Sequence, residues 1–300
     1  MQLMSILVTA PDGVAACVYL DDLEQQAGSP AVELIIVDGS PAFVDQSRPG
    51  LRHIHVPGLQ VHGLVGEGLR RATSEWVIVI EDHCRPLAGM IANYRQAIAQ
   101  NPGVDLFAGA VANLTSNDPW SDALFLAGMR WQWTGTTEPP SMPTNANLAI
   151  RRTAILDHEL DVMGGYMNLT VPRLIAVGRY GHCRSAIVDH VVVRSSPREA
   201  LVFHFKCATN TVVSYRASAP ERSWFVRMWQ DLRGMIVVVL VQPFRFVRQL
   251  PGGFAERLMA SWRLTILGIV GVMAKIVHDI KIVPAANVAA DLAVSRKSPH

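Results

Sequence analysis

No run of about twenty apolar residues, the length a helix needs to cross a bilayer, occurs anywhere in the 300-residue chain. Its two most apolar C-terminal stretches, Met235 to Val241 and Leu264 to Ala274, are stopped by Gln242-Pro243 and by Lys275. Cysteine is scarce as well. Cys17, Cys84, Cys183 and Cys207 stand far apart with no CxxC pair, which excludes a zinc-ribbon signature and a disulfide framework and favours a reducing compartment. The opening MQLMSILVTAPDG has no basic segment ahead of its short apolar run, so it reads as a first strand and not as a secretory leader. The sequons at Asn113 and Asn168 carry no weight in such a chain. Charge is thin too: 17% of residues are charged and 50% hydrophobic, a skew that points to a membrane-facing part.

What charge there is lies unevenly. Arg216 to Lys281 holds ten basic and four acidic residues, a local excess of six positive charges in a chain whose net charge is +2. Trp224, Trp229 and Trp262 sit among these arginines, so the basic end is also the apolar end. That pairing fits helices lying on an anionic membrane surface and disfavours nucleic acid as a partner. The tail after Pro284 is expected to be disordered.

The first half alternates strands and helices. Ser5 to Thr9, Glu33 to Val37, His53 to Val56 and Trp76 to Ile80 read as strands. Val14 to Gln26, Gly63 to Ser74 and Leu87 to Gln100 read as helices, each ending at a Gly, Ser, Asn or Pro signal. This order predicts an α/β fold with a mostly parallel central sheet flanked by helices. DLFAGAVANL and TNANLAIRR continue it, separated by a long loop from Trp120 to Pro143. The strand WVIVI ends abruptly in Glu81-Asp82-His83, and the C-terminal edge of such a sheet is where ligands bind.

SILVTAPDG, ELIIVDGSP, GEGLRRATSEWVIVIEDHCRP and TNANLAIRR, in that order, resemble the family-2 glycosyltransferases of the A-type, nucleotide-diphospho-sugar fold over residues 1–205. The resemblance implies a nucleotide-binding half (1–112), an acceptor half (113–205) and a membrane-associated helical region (206–284) ahead of the tail (285–300). By position it places Thr9 beside the nucleobase and Asp38 on the base or ribose. Glu81 and Asp82 stand in the acidic motif that holds a divalent metal against the diphosphate, with His83 where the last Asp usually stands. His190, ending the strand-like AIVDH, resembles a later histidine that some relatives bring to the metal. The implied metal ligands are thus Asp82, His83 and His190, and an imidazole tilts the preference from magnesium toward manganese.

Each residue also has a bland reading: Asp38 as an Asx turn, Asn145 and Asn147 as strand-end hydrogen bonders, Arg70-Arg71 and Arg151-Arg152 as solvated pairs. Two departures stand out. Val65-Gly66 occupies the place of the family's Arg-Asn pair, and Tyr166-Met167 the place of the Glu-Asp pair that deprotonates the acceptor. Glu159 and Asp161, just upstream, are the substitute candidates for the base. The expectation is an inverting, metal-dependent transferase at the cytoplasmic face of the membrane, in cell-envelope or exopolysaccharide assembly. It would take a nucleotide-diphospho-sugar, UDP-linked by preference, to a lipid-linked or polysaccharide acceptor, and a homodimer is left open. The rival is a catalytically silent subunit of the same fold that binds a partner or a sugar nucleotide. A nucleotidyltransferase is set aside because APDGVAACVYL lacks a Gly-rich, Arg-containing phosphate loop.

Overall fold

The apolar runs SILVT, ELIIV and WVIVI become neighbouring buried strands in the computed structural model, which describes residues 4–11, 19–27, 32–41, 47, 49–113, 118–129, 132–134, 143–161, 164–191, 196–218 and 254–280. β1 (Met4–Ala10), β2 (Val32–Asp38), β3 (Leu51–His55) and β4 (Trp76–Glu81) run parallel in the spatial order β3-β2-β1-β4. Helices α1 (Leu20–Ala27) and α2 (Val61–Arg71) make the crossovers. Residues 12–18, where the first helix was expected to begin, lie outside the described residues.

The second half of the sheet departs from the expected mostly parallel order. It comprises β5 (Cys84–Pro86), β6 (Leu106–Asn113), β7 (Asn147–Arg151) and β8 (Tyr180–His190), and the complete order is β3-β2-β1-β4-β7-β6-β8-β5. β7 lies antiparallel to both β4 and β6, and β5 antiparallel to β8, so the sheet is mixed. The reason is connectivity. β1 to β4 are joined by crossovers that restart each strand from the same edge, whereas β7 returns from the far end of β6 and runs back between its neighbours.

Alternation along the strands feeds two cores. On one face Ile6, Val8, Ile36, Trp76, Ile78 and Ile80 pack with α3 (Met90–Gln100) and α4 (Pro119–Met129). On the other, Leu7, Ile35, Val37, Val77 and Val79 pack with Leu64 and Leu69 of α2 and with Val171 and Leu174 of α6 (Val171–Ala176). The existence of α4 corrects the loop expected from Trp120 to Pro143. Asp118 caps it, its Oδ1 accepting the amide protons of Trp120 (3.0 Å) and Ser121 (2.7 Å), with Pro119 at the first helical position.

β6 and β8 are parallel but out of step by three residues. Gly109 pairs with Cys183 and Ala110 with Ile187, leaving Arg184, Ser185 and Ala186 as a bulge. Two of its carbonyls are satisfied by asparagines. Asn93 Nδ2 donates to Ser185 O (2.6 Å), and Asn147 Nδ2 donates to Ala186 O and Ala110 O (both 2.9 Å). The Tyr94 hydroxyl donates to Asn147 Oδ1 at 2.8 Å. Gly109 makes room for this network: a Cβ there would lie 2.2 Å from Asn147 Nδ2 and 2.4 Å from the Tyr94 oxygen.

The boundary expected at residue 205 falls inside α7 (Pro197–Ser218). α8 (Phe254–Ile280) packs on α7 and α4, burying Ser261, Leu264 and Leu267, so this helix shares the first of the two cores. Its outer stripe exposes Leu258, Met259, Trp262, Ile269 and Met273. No described helix is long and apolar enough to cross a membrane. Trp224, Trp229, the Met235 to Val241 stretch and the tail from 285 onward lie outside the described residues.

Candidate active site

The C-terminal ends of β1, β2 and β4 meet at one edge of the sheet, in the register Ala10–Asp38 and Thr9–Glu81. Thr9 is wholly buried there, and its hydroxyl has no hydrogen-bond partner among the described residues. Such an orphan at a strand end awaits an acceptor or donor from a ligand or a water. Asp38 is buried beside it. One carboxylate oxygen accepts the Ser40 amide (2.7 Å), the Asx turn of the bland reading, and the other lies 3.2 Å from His53 Nε2.

The acidic strand end turns sharply into β5. Asp82 N–H donates to Thr9 O at 3.1 Å, and β5 pairs with the end of β8 so that Cys84 faces His190. This backbone arrangement brings His83 and His190, 107 residues apart, to an Nε2–Nε2 separation of 2.9 Å. Glu81 Oε2 lies 3.2 Å from the same His83 nitrogen. Glu81, His83, Cys84 and His190 offer ligand atoms all within 4.8 Å of one another. Asp82 stands behind this cluster, Oδ1 2.8 Å from His83 Nδ1. Its acceptor holds the Nδ1 proton and aims Nε2 at Glu81 and His190.

Two facing imidazole nitrogens cannot both be protonated. Burial works against the charge on His83, but the hydrogen bonds to Asp82 and Glu81 outweigh it and push its pKa up to about 10. Burial and the neighbouring His83 charge push His190 down to about 3. Burial opposes ionisation of Glu81, yet His83 and the other imidazoles hold its pKa below the usual value. Burial raises the Cys84 thiol well above its ordinary range, leaving it a weak donor. One carboxylate and two imidazoles suit a divalent first-row cation. Their 2.9 to 3.2 Å spacing matches the edge of an octahedral shell with bonds of about 2.1 Å, so the donor set fits.

The two substitute carboxylates are placed differently. Glu159 is buried in α5 (Asp157–Leu160), accepting from Arg173 Nε (3.0 Å) and Nη2 (2.8 Å), Thr170 Oγ1 (2.6 Å) and Leu156 N (2.9 Å). Burial opposes its ionisation, but the Arg173 and Thr170 bonds hold its pKa low. Asp161 is exposed at the surface, 3.6 Å from Arg70 Nη2. Arg70 also pairs with Glu67 at 2.7 Å.

Three polar residues adjoin the cluster that sequence reading did not assemble. Tyr166, in a π-helical turn (Tyr166–Thr170), donates its hydroxyl to Asn145 Oδ1, and Asn145 Nδ2 faces His62 Nδ1 at 3.3 Å. The charge of Glu81 acts on both His62 and Tyr166, which puts this chain of groups at the acidic end of β4. His62, in the first turn of α2, carries no motif of its own, and only tertiary structure reveals it.

No protein-family model matches the chain, and no curated protein is similar enough to match. Solved structures do match. A mannosyltransferase from Pyrobaculum calidifontis, solved with GDP-mannose and Mn2+, aligns at TM-score 0.55 and 14% identity over 94% of this chain and 88% of its own. Glucosyl-3-phosphoglycerate synthase from Mycobacterium tuberculosis, solved with Mn2+, UDP-glucose and phosphoglyceric acid, aligns at TM-score 0.46 and 12% identity, covering 74% and 81% of the two chains. The architecture of the described residues, shared with the first of these, is the A-type glycosyltransferase fold that the sequence motifs resemble.

Proposed function

We propose that the chain transfers a sugar from a nucleotide-diphospho-sugar to an acceptor hydroxyl, with a divalent cation, manganese by preference, held by Glu81, His83 and His190. The observation that carries this reading is the convergence of those three ligand groups on one point at the ligand-binding edge of the sheet. Bound there, the cation supplies positive charge against the charge that develops on the departing diphosphate. Asp82 orients His83, and Thr9 and Asp38 receive the nucleoside at the ends of β1 and β2. Glu159 serves as a fold clamp in this reading, because an ionised carboxylate with four donors around it is a poor base.

The outer stripe of α8, with Val202 and Phe205 exposed on α7, lies against an anionic membrane, and the acceptor is lipid-linked or a growing polysaccharide. The basic surplus of the C-terminal region supports that docking. The silent-subunit reading draws on the buried Tyr166 and Met167, which stand where the family's proton-accepting pair would be.

Calorimetry of UDP and GDP on the full chain, with Mn2+, with Mg2+ and with chelator, tests the main reading alongside His83→Ala. Mn2+-dependent binding lost in the variant is the expected result. Binding to neither nucleotide under any condition refutes it.

A further inference from the structure

The Tyr166–Asn145–His62 chain has a direction. The Tyr166 hydroxyl is buried and has one proton to give, and Asn145 Oδ1 accepts it. That fixes the Asn145 amide with its NH2 toward His62 Nδ1, so Nδ1 accepts as well. Turning the amide round would strand the phenolic proton in a buried position. A neutral imidazole that accepts at Nδ1 carries its proton on Nε2. Burial keeps His62 in that neutral form, against the pull of Glu81. No described group pairs with its Nε2–H, which is open to the site and not sealed from solvent.

A relay of three side chains from three distant segments, Tyr166 and Asn145 buried and His62 half-buried, ending in one oriented N–H beside the acidic end of β4, is more than packing requires. We infer that His62 Nε2–H binds a diphosphate oxygen of the nucleotide, with Asn145 and Tyr166 as positioning residues that lock its tautomer. The inference rests on the function proposed above and adds a recognition residue to it. A phosphate oxygen is an acceptor with no proton to clash with this donor. The arrangement also places a neutral donor on the helix where Val65-Gly66 offers neither a guanidinium nor an amide side chain.

The test uses the full chain with MnCl2 and measures calorimetric affinity for GDP and UDP, for GMP and UMP, and for GDP-mannose and UDP-glucose. The variants are His62→Phe, His62→Gln and Tyr166→Phe, and long-range 1H–15N NMR reads the His62 tautomer. His62→Phe should weaken the diphosphates by roughly ten- to hundredfold, the range of one hydrogen bond to a charged group; the monophosphates share that loss if the contact is to the phosphate next to the ribose and escape it if the contact is to the terminal one. His62→Gln, which keeps an N–H donor, should recover most of the loss. Tyr166→Phe should mix the tautomers and weaken the diphosphates by a smaller factor, an effect that a merely structural tyrosine would not produce.

Wild-type diphosphate binding with His62→Phe unchanged overturns this inference alone, as does a wild-type spectrum showing the proton on Nδ1. A loss confined to the sugar nucleotides assigns His62 to the sugar and also overturns it. Absence of any diphosphate binding by the wild-type chain overturns the functional reading, and this inference with it.

Discussion

Substituting Glu159 by Gln separates a clamp from a base. The carboxylate is buried and accepts four hydrogen bonds, tying the start of α5 to Thr170 and to Arg173 of α6. Gln keeps the volume but turns an NH2 toward at least one of those donors. Arg173 is 36% exposed, so its share is screened and worth about 1 kcal/mol at most. The bonds from Thr170 and the Leu156 amide are shielded, and losing one costs about 1–2 kcal/mol, with a further desolvation term for the stranded donor. The sum is roughly 2–4 kcal/mol, or about 3–6 °C in Tm for a chain of this size.

Sign and pH window follow from the lowered pKa. A carboxylate held below its unfolded value of 4.5 contributes stability above that pH, and the contribution fades as pH falls through the folded value. Thermal melts of the wild-type chain and Glu159→Gln should therefore differ most at pH 6 to 7 and converge at acid pH. Sugar transfer by the folded fraction should persist. A variant that melts like wild type yet has lost turnover would refute the clamp and restore Glu159 as the base.

Other outcomes follow from the same geometry. Mn2+ at a hundredfold over its Kd should stabilise the wild-type chain by about 2.7 kcal/mol, and His190→Ala should abolish that rise in melting temperature. Gly109→Ala drives a methyl into Asn147 and Tyr94 and should destabilise by more than about 3 kcal/mol, read by denaturant melts. Trp262→Gln, at a position 60% exposed, should leave stability within about 0.5 kcal/mol while reducing flotation with anionic vesicles severalfold. Unchanged flotation would remove α8 from the membrane contact.

The parallel half of the sheet was legible because its signals are local. SILVT, ELIIV and WVIVI are short β-branched runs between turn residues, and each became a strand within a residue or so of its expected limits. α4 was missed although Asp118-Pro119 announces it, because the Trp and Gly residues around it read as loop. The direction of β7 was not legible, since a strand's periodicity is the same whichever way it runs. In the site, Asp82-His83 at a strand end was visible as a motif, but which atoms converge depends on β5 pairing with β8. The His62 relay leaves no trace in spacing, because its members lie on three elements that only folding brings together.

The three-residue offset between β6 and β8 sets the phase of everything downstream. With the bulge, Asn113 pairs with His190; in the unbroken register set by Gly109 and Cys183 it would pair with Ile187. Removing residues 184–186 as a unit would leave a continuous ladder with His190 still opposite Asn113, whereas flattening the bulge with its residues retained would carry the strand end on by about 10 Å. Three is also odd, so without the offset the pleat would turn every later side chain to the opposite face of the sheet. Asn147, whose amide bridges Ala110 and Ala186 across the offset, thus acts as a length gauge for His190 without touching it. A tolerated one-residue deletion between the bulge and His190 should keep the fold and lose the cation, a separation of the two that point substitutions in the core would not achieve.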